Sequence, residues 1–297
     1  MEVSFSKEVK DELLAQMNPA RHCRIAELAA LLSICARAVP ADGGCHLRIH
    51  MDRPEAADKC RRLIESLFDD AQLSGAAGPD GVVVADPALV SRIMGAAKLR
   101  IQEEEGGGFG LLADHLVVQN TCCKRAFIRG AFLCAGSVSD PAKAYHFELD
   151  LQEESRARQM KDIINSFMID AKMISRRRYY VVYVKEGSQI VDLLNIMEAH
   201  KALMKFENVR ILKEVRNSVN RQVNCEAANI NKTVTASSRQ IDDIILIRDR
   251  VGFEHLSEGL EEIARLRIEY PEATLKELGA MLNPPIGKSG VNHRLRK

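Results

Sequence analysis

The feature that most constrains this chain is a repeat with a period of one hundred residues. Laid over itself at an offset of 100, the sequence needs no gap between about residue 24 and residue 70. Leu28, Leu31 and Leu32 fall on Ile128, Ala131 and Phe132; Ala30 falls on Gly130, and Ala36 on Gly136. His46 meets His146, and Leu47, Ile49 and Met51 meet Phe147, Leu149 and Leu151. Arg61, Ile64, Ser66 and Leu67 meet Lys161, Ile164, Ser166 and Phe167. Few residues are identical, but apolar positions and structural breaks coincide. Self-similarity at a fixed period means two copies of one folding unit.

Each copy reads the same way. A helix (26–37; 126–135) precedes a strand with period-two alternation (46–51; 145–151) and a longer amphipathic helix (54–68; 154–169). A second β-rich stretch (82–85; 179–185) and a further helix (87–101; 188–200) complete the copy. Glu103-Glu104-Glu105 and Gly106-Gly107-Gly108 read as a flexible joint between copies. The opening helix of each copy is apolar on most sides, so it must be buried. It also carries small residues: Ala29, Ala30 and Ala36 in one copy, Gly130, Ala131, Ala135 and Gly136 in the other. The two helices are therefore expected to pack closely on a pseudo-two-fold axis.

Leu28-Ala-Ala-Leu-Leu-Ser-Ile-Cys-Ala36 and Phe127-Ile-Arg-Gly-Ala-Phe-Leu-Cys-Ala-Gly-Ser-Val138 resemble the LAGLIDADG helices of homing endonucleases. That resemblance implies two αββαββα halves, with the motif helices at their interface and saddle-shaped sheets over DNA. In that family the motif's eighth position holds an acid, and the two acids bind the divalent cations that cut DNA. Here the eighth positions are Cys35 and Ala135, and the sixth are Ser33 and Leu133. Two-metal cleavage needs hard oxygen ligands, which a thiol and a methyl do not supply, so no catalytic residue is expected. On the saddle strands Arg48 and His50 lie opposite the apolar face in the first copy, but Glu148 and Asp150 do in the second, where they would repel phosphate. Arg176-Arg177-Arg178 reads as a solvated strand entrance, with a DNA-backbone contact as the alternative.

A length of 297 residues suggests about two domains. A net charge of +1 gives no global sign of nucleic-acid binding, so any such sign must be local. Trp is absent, which argues against extended base-stacking platforms. No apolar run approaches the roughly 20 residues of a membrane helix, and the N-terminus lacks a signal-peptide core. A cytoplasmic, nucleoid-associated protein with no membrane partner is expected. The eight cysteines fall in helical apolar patterns or in the adjacent pair Cys122-Cys123, with no C-x-x-C and no His/Cys group at zinc spacing. Buried reduced thiols, no metal and no cofactor are expected.

From residue 201 the pattern is wholly helical. Between residues 200 and 232 seven cations stand against three acids, among many Asn residues. Arg221, Asn224, Asn231 and Lys232 carry donors suited to phosphate or base edges; an exposed basic helix with Asn caps is the plainer reading. Further on, an amphipathic helix stops at Tyr270-Pro271, and Thr274 with Glu277 forms a capping box. Leu275, Leu278, Met281 and Leu282 then make a buried face, with Gly279 where a second helix crosses. Asn283-Pro-Pro-Ile-Gly287 is a turn, after which Val291 and Leu295 face inward while Ser289, Asn292, His293 and Arg296 face outward. This is a helix-turn-helix at 274–297, with four cations and no acid after residue 284. Lys288, Ser289, Asn292, His293, Arg294, Arg296 and Lys297 are its candidate DNA contacts.

A degenerate LAGLIDADG domain joined to a C-terminal helix-turn-helix resembles the WhiA family, most specifically at 122–138, 219–236 and 271–296. The fold class is then α+β: a pseudo-two-fold domain over 1–200 (copies 1–105 and 110–200), followed by an all-α domain over 201–297. The resemblance implies a helical domain similar to region 4 of sigma factors, and a regulator of sporulation or of cell division and chromosome segregation. Expected partners are promoter DNA and the transcription machinery or other regulators, with the chain a monomer and not an enzyme. The alternatives are a cell-division scaffold with incidental DNA binding, and a metal-dependent endonuclease with relocated acids.

Overall fold

The repeat survives in three dimensions almost element for element. The computed structural model describes residues 4–41, 44–69, 71, 73, 81–104, 108–177 and 179–297. The chain divides into two compact units, Met1–Leu212 and Lys213–Lys297.

The first unit opens with α1 (Phe5–Ala15), capped by the Ser4 hydroxyl. The first copy follows as α2 (Arg21–Cys35), β1 (Ala36–Ala41), β2 (Gly44–Ile49), α3 (Pro54–Leu67), β3 (Val82–Val84) and α4 (Pro87–Ala96). A hairpin of β4 (Leu99–Glu103) and β5 (Phe109–Ala113) leads to the second copy. That copy comprises α5 (Thr121–Ala135), β6 (Gly136–Val138), β7 (Phe147–Leu151), α6 (Glu154–Asn165), β8 (Lys172–Arg176), β9 (Tyr179–Val184) and α7 (Gly187–Ile196). α2 and α5, α3 and α6, and α4 and α7 each begin one hundred residues apart. One sheet runs β3-β2-β1-β5-β4 and the other β6-β7-β9-β8. The shared order β1-β2-β3 and β6-β7-β9 is the repeat, and the hairpin extends the first sheet beyond β1.

The motif helices are the core of this unit. In α2, Cys23 and residues 26–33 are buried; in α5, Cys123 and residues 126–133 are buried. The two sets coincide at the repeat offset, as a shared axis requires. Close approach is enforced at Gly130, where an added Cβ would lie 2.6 Å from the Glu27 carbonyl oxygen and 3.0 Å from the Ala30 Cβ. Charges are buried beside this crossing. The Glu27 carboxylate takes Lys59 Nζ at 2.6 Å and Arg129 Nε at 3.3 Å, and Arg129 Nη1 reaches Glu198 at 2.7 Å. The ring of cations and acids lets side chains that are essentially inaccessible remain paired.

Several expected boundaries move. The helix expected over 87–101 stops at Ala96, because Lys98 takes a left-handed backbone (φ 48°) and Leu99–Glu103 pairs with β5. α6 ends at Asn165 rather than 169, with Met168 left-handed at φ 64°. β1 and β6 run directly from the motif helices with no turn signal, and in β1 strand pairing overrides the helix preference of Ala36, Ala38 and Ala41. Of the expected joint, residues 105–107 lie outside the described residues; beside them the Glu104 amide donates to the Gly108 carbonyl (3.1 Å), closing the hairpin.

α8 (His200–Arg250) spans 51 residues, and the division between units falls within it. Its first turn is capped by Glu12, which accepts from the amides of Lys201 (2.9 Å) and Ala202 (3.0 Å). In the second unit it is followed by α9 (Glu258–Glu269), α10 (Leu275–Met281) and α11 (Lys288–Arg294). Among the described residues, no helix is long and apolar enough to cross a membrane.

Candidate nucleic-acid interface

The ends of the motif helices, where the endonuclease acids would stand, open on a cavity of about 660 Å³. Cys35 and Ala135 line it and are half-buried. Lys10, Arg37, Arg53 and Arg156 line it too, against two carboxylates, Asp52 and Asp150. All three arginines are already engaged: Glu104 takes Arg37 Nε at 2.9 Å and Arg156 Nη2 at 2.6 Å, and Asp11 takes Arg53 Nη2 at 2.6 Å. Burial, reinforced by Glu148, pushes the Asp150 carboxyl above its ordinary value. Among the described residues no group of three or more His, Cys, Asp or Glu converges there.

Such a group does form at the opposite end of the same helices, and it corrects the expectation of no metal-type cluster. His22, Cys23, Cys122 and Cys123 bring one ligand atom each to within 4.8 Å of one another. Spacing rules miss it because the pairs are adjacent residues one hundred positions apart. Cys122 and Cys225 are exposed, so the expectation of uniformly buried thiols also fails.

On the saddle, Arg48 and His50 are exposed as read from the sequence. Arg37 on β1 stands directly across from Arg48 on β2, so like charges face each other on the first sheet. In the second sheet Glu148 is held by His146 Nε2 (3.0 Å) and the Ser137 hydroxyl (3.2 Å), and faces Arg176 at 3.9 Å. Arg176 and Arg177 are exposed, and Arg178 lies outside the described residues.

In the second unit α8 presents Arg221, Asn224, Asn231 and Lys232, all exposed. At 3.6 residues per turn these four fall within an arc of about 100°. Exposed Val219, Val223, Ile230 and Val234 take the opposite side. The donors therefore form a stripe, not a scatter.

The helix-turn-helix is built as its sequence dictates. Thr274 Oγ1 accepts from the Glu277 amide (3.3 Å), while the Glu277 carboxylate accepts from the Thr274 amide (2.7 Å). Leu278, Leu282, Val291 and Ile263 make a small core joining α9, α10 and α11, with Leu275 and Leu295 against it. Gly279 is required for the crossing: a Cβ there would lie 2.2 Å from the Ile286 carbonyl oxygen. Met281, expected in the buried face, is 47% exposed, because α10 ends at that residue and Leu282 turns inward instead.

With Val291 fully buried, the outward side of α11 carries Ser289 and His293, with Arg296 and Lys297 exposed just beyond it and Lys288 exposed at its start. Asn292 is half-buried at the edge, and so does not share the fully open face with His293. Arg294 is a greater departure from the expected DNA contacts. Its Nη1 donates to the Gly259 carbonyl (3.2 Å), so the side chain clamps α11 to α9.

Two family models match the chain: the WhiA LAGLIDADG-like domain over residues 124–216 and the WhiA C-terminal HTH domain over residues 219–297. A relative from Lachnoclostridium phytofermentans, named "Probable cell division protein WhiA", is 60% identical over 99% of this chain and 97% of its own length. Another of the same name, from Alkaliphilus oremlandii, is 45% identical over 99% and 95%. The fold is similar to the crystal structure of full-length DUF199/WhiA from Thermatoga maritima, with a TM-score of 0.57, 24% identity, and coverage of 99% of this chain and 96% of that one. Helix pair, capped helix-turn-helix and full-length relatives agree: the chain belongs to the WhiA family.

Proposed function

We propose that this chain is a DNA-binding regulator of cell division and chromosome segregation, and of sporulation in a host that sporulates. It grips promoter DNA as a monomer through α11, and acts there on the transcription machinery or with other regulators. The carrying observation is α11 itself, seated by Val291 with donors at Ser289, His293 and Arg296 turned outward and no acid after residue 284. A short helix dressed this way suits the major groove. The α8 stripe adds backbone grip, which carries affinity but no sequence information.

The test is equilibrium binding to duplex DNA recovered by selection from the host genome. Replacing Ser289, His293 and Arg296 together by Ala should abolish sequence preference while leaving the weaker, salt-sensitive binding to arbitrary duplex. Equal affinity of wild type and variant for the selected sites would overturn the reading.

One observation favours a second reading, a relocated nuclease: Asp52 and Asp150 share the cavity at the motif-helix ends. Plasmid incubated with magnesium or manganese should stay uncut. Nicking abolished by Asp52→Asn or Asp150→Asn would establish the nuclease instead.

A further inference from the structure

We propose that His22, Cys23, Cys122 and Cys123 form a site for a thiophilic divalent cation of the zinc class, tying the first turns of α2 and α5 together. The topology produces the cluster. α2 begins at Arg21 and α5 at Thr121, so each helix offers its second and third residues. At the repeat offset His22 is the mate of Cys122 and Cys23 of Cys123. The pseudo-two-fold relation thus brings two donors from each half to one point, giving a Cys₃His set.

The geometry suits tetrahedral coordination. His22 Nδ1 lies 3.3 Å from Cys23 Sγ, 3.3 Å from Cys123 Sγ and 3.9 Å from Cys122 Sγ. Zinc bonds of about 2.3 Å to sulfur and 2.0 Å to nitrogen place tetrahedral ligand atoms roughly 3.5–3.8 Å apart. The three nitrogen–sulfur separations lie close to that range, and all four donor atoms fall within 4.8 Å of one another. Cys23 and Cys123 are buried while His22 and Cys122 are exposed, so the site is anchored from below and open to an entering ion.

Charge favours an occupant. Three thiolates around a divalent cation leave one net negative charge, placed at the first turns of two helices. Neither Ala20 nor Asn120, the capping residues, satisfies those amides with a side chain, and helix N-termini favour anions.

Thiolate and imidazole donors select zinc-like ions over magnesium. This site is therefore chemically distinct from the endonuclease metal positions. It is also remote from them: thirteen residues of α2 at 1.5 Å each put His22 about 20 Å from Cys35. The consequence is structural, since an ion bound by the folded state stabilises it by mass action.

The test uses the full chain, expressed and purified under reducing conditions without chelator. Elemental analysis should find one equivalent of zinc per chain. Cobalt(II) added to metal-stripped protein should give the visible bands of tetrahedral thiolate coordination. Cys23→Ser and Cys123→Ser should each lower zinc affinity by more than the ~10–100-fold that loss of an outer-shell partner costs. Cys225→Ser, on the exposed surface of α8, should retain the metal in full. His22→Cys should also retain it, as a four-thiolate site, which separates ligand loss from misfolding. Metal-free wild type with a featureless cobalt titration would overturn the proposal. So would zinc content unaffected by the Cys23 and Cys123 variants, or a disulfide among these cysteines in anaerobically prepared protein.

Discussion

At the scale of single residues, the fold turns on a few positions where backbone or charge has no slack. Gly130→Ala places a methyl against the Glu27 backbone, which cannot move without moving α2. It should destabilise the first unit by about 1–3 kcal/mol, read as an earlier midpoint in denaturation followed by circular dichroism. Removing one partner of the buried ion group costs more, because the remaining charges stay buried. Glu27→Gln should lose about 3–5 kcal/mol by the same measurement. The need for Gly130 was legible, since it stood in a helix with small residues at matching places. The burial of Arg129 beside it was not, since its partners Glu27 and Glu198 come from distant segments. Arg294 shows the same limit: sequence gives its charge, but only the fold shows it bound to Gly259. Arg294→Ala should therefore lower the stability of the second unit rather than alter which sites are read.

At the scale of elements, strong local chemistry was readable and pairing was not. The Thr274–Glu277 capping box, the stop at Tyr270 and the inward Val291 follow from short-range rules, and the structure holds all three. The helices of the repeat were found, but β1, β6, β8 and the β4–β5 hairpin were missed. Each is one arm of a hairpin (β1 with β2, β4 with β5, β6 with β7, β8 with β9), and the pairing rather than the propensity or alternation of its own residues makes it a strand. The cap is testable. Thr274→Ala should cost about 0.5–2 kcal/mol. The backbone hydrogen bond from Thr274 holds the Glu277 carboxyl below its ordinary 4.5. A lowered folded value means this contribution is complete above pH 4.5 and fades as pH falls through the folded value. Glu277→Gln should remove that pH dependence from unfolding of the second unit. On α8, Arg221→Ala and Lys232→Ala should each reduce the salt slope of DNA binding by about 1, equally for all sequences.

At the scale of the whole molecule, a duplicated LAGLIDADG-like frame carries Cys35 and Ala135 at one end of its helix pair and gathers sulfur and nitrogen donors at the other. The frame was legible because burial periodicity repeats along the chain. The His/Cys group was not, because a two-fold relation joins residues that no spacing rule connects. The helix-turn-helix was legible because it is local and complete within 24 residues. On the proposed function, this last helix chooses where the protein sits on the genome. Crosslinking the protein to DNA in its host, followed by sequencing, tests that most directly when wild type is compared with the variant carrying Ala at Ser289, His293 and Arg296. Discrete promoter peaks are expected for wild type, collapsing to a uniform background in the variant at equal protein level. The same peaks in both would contradict it.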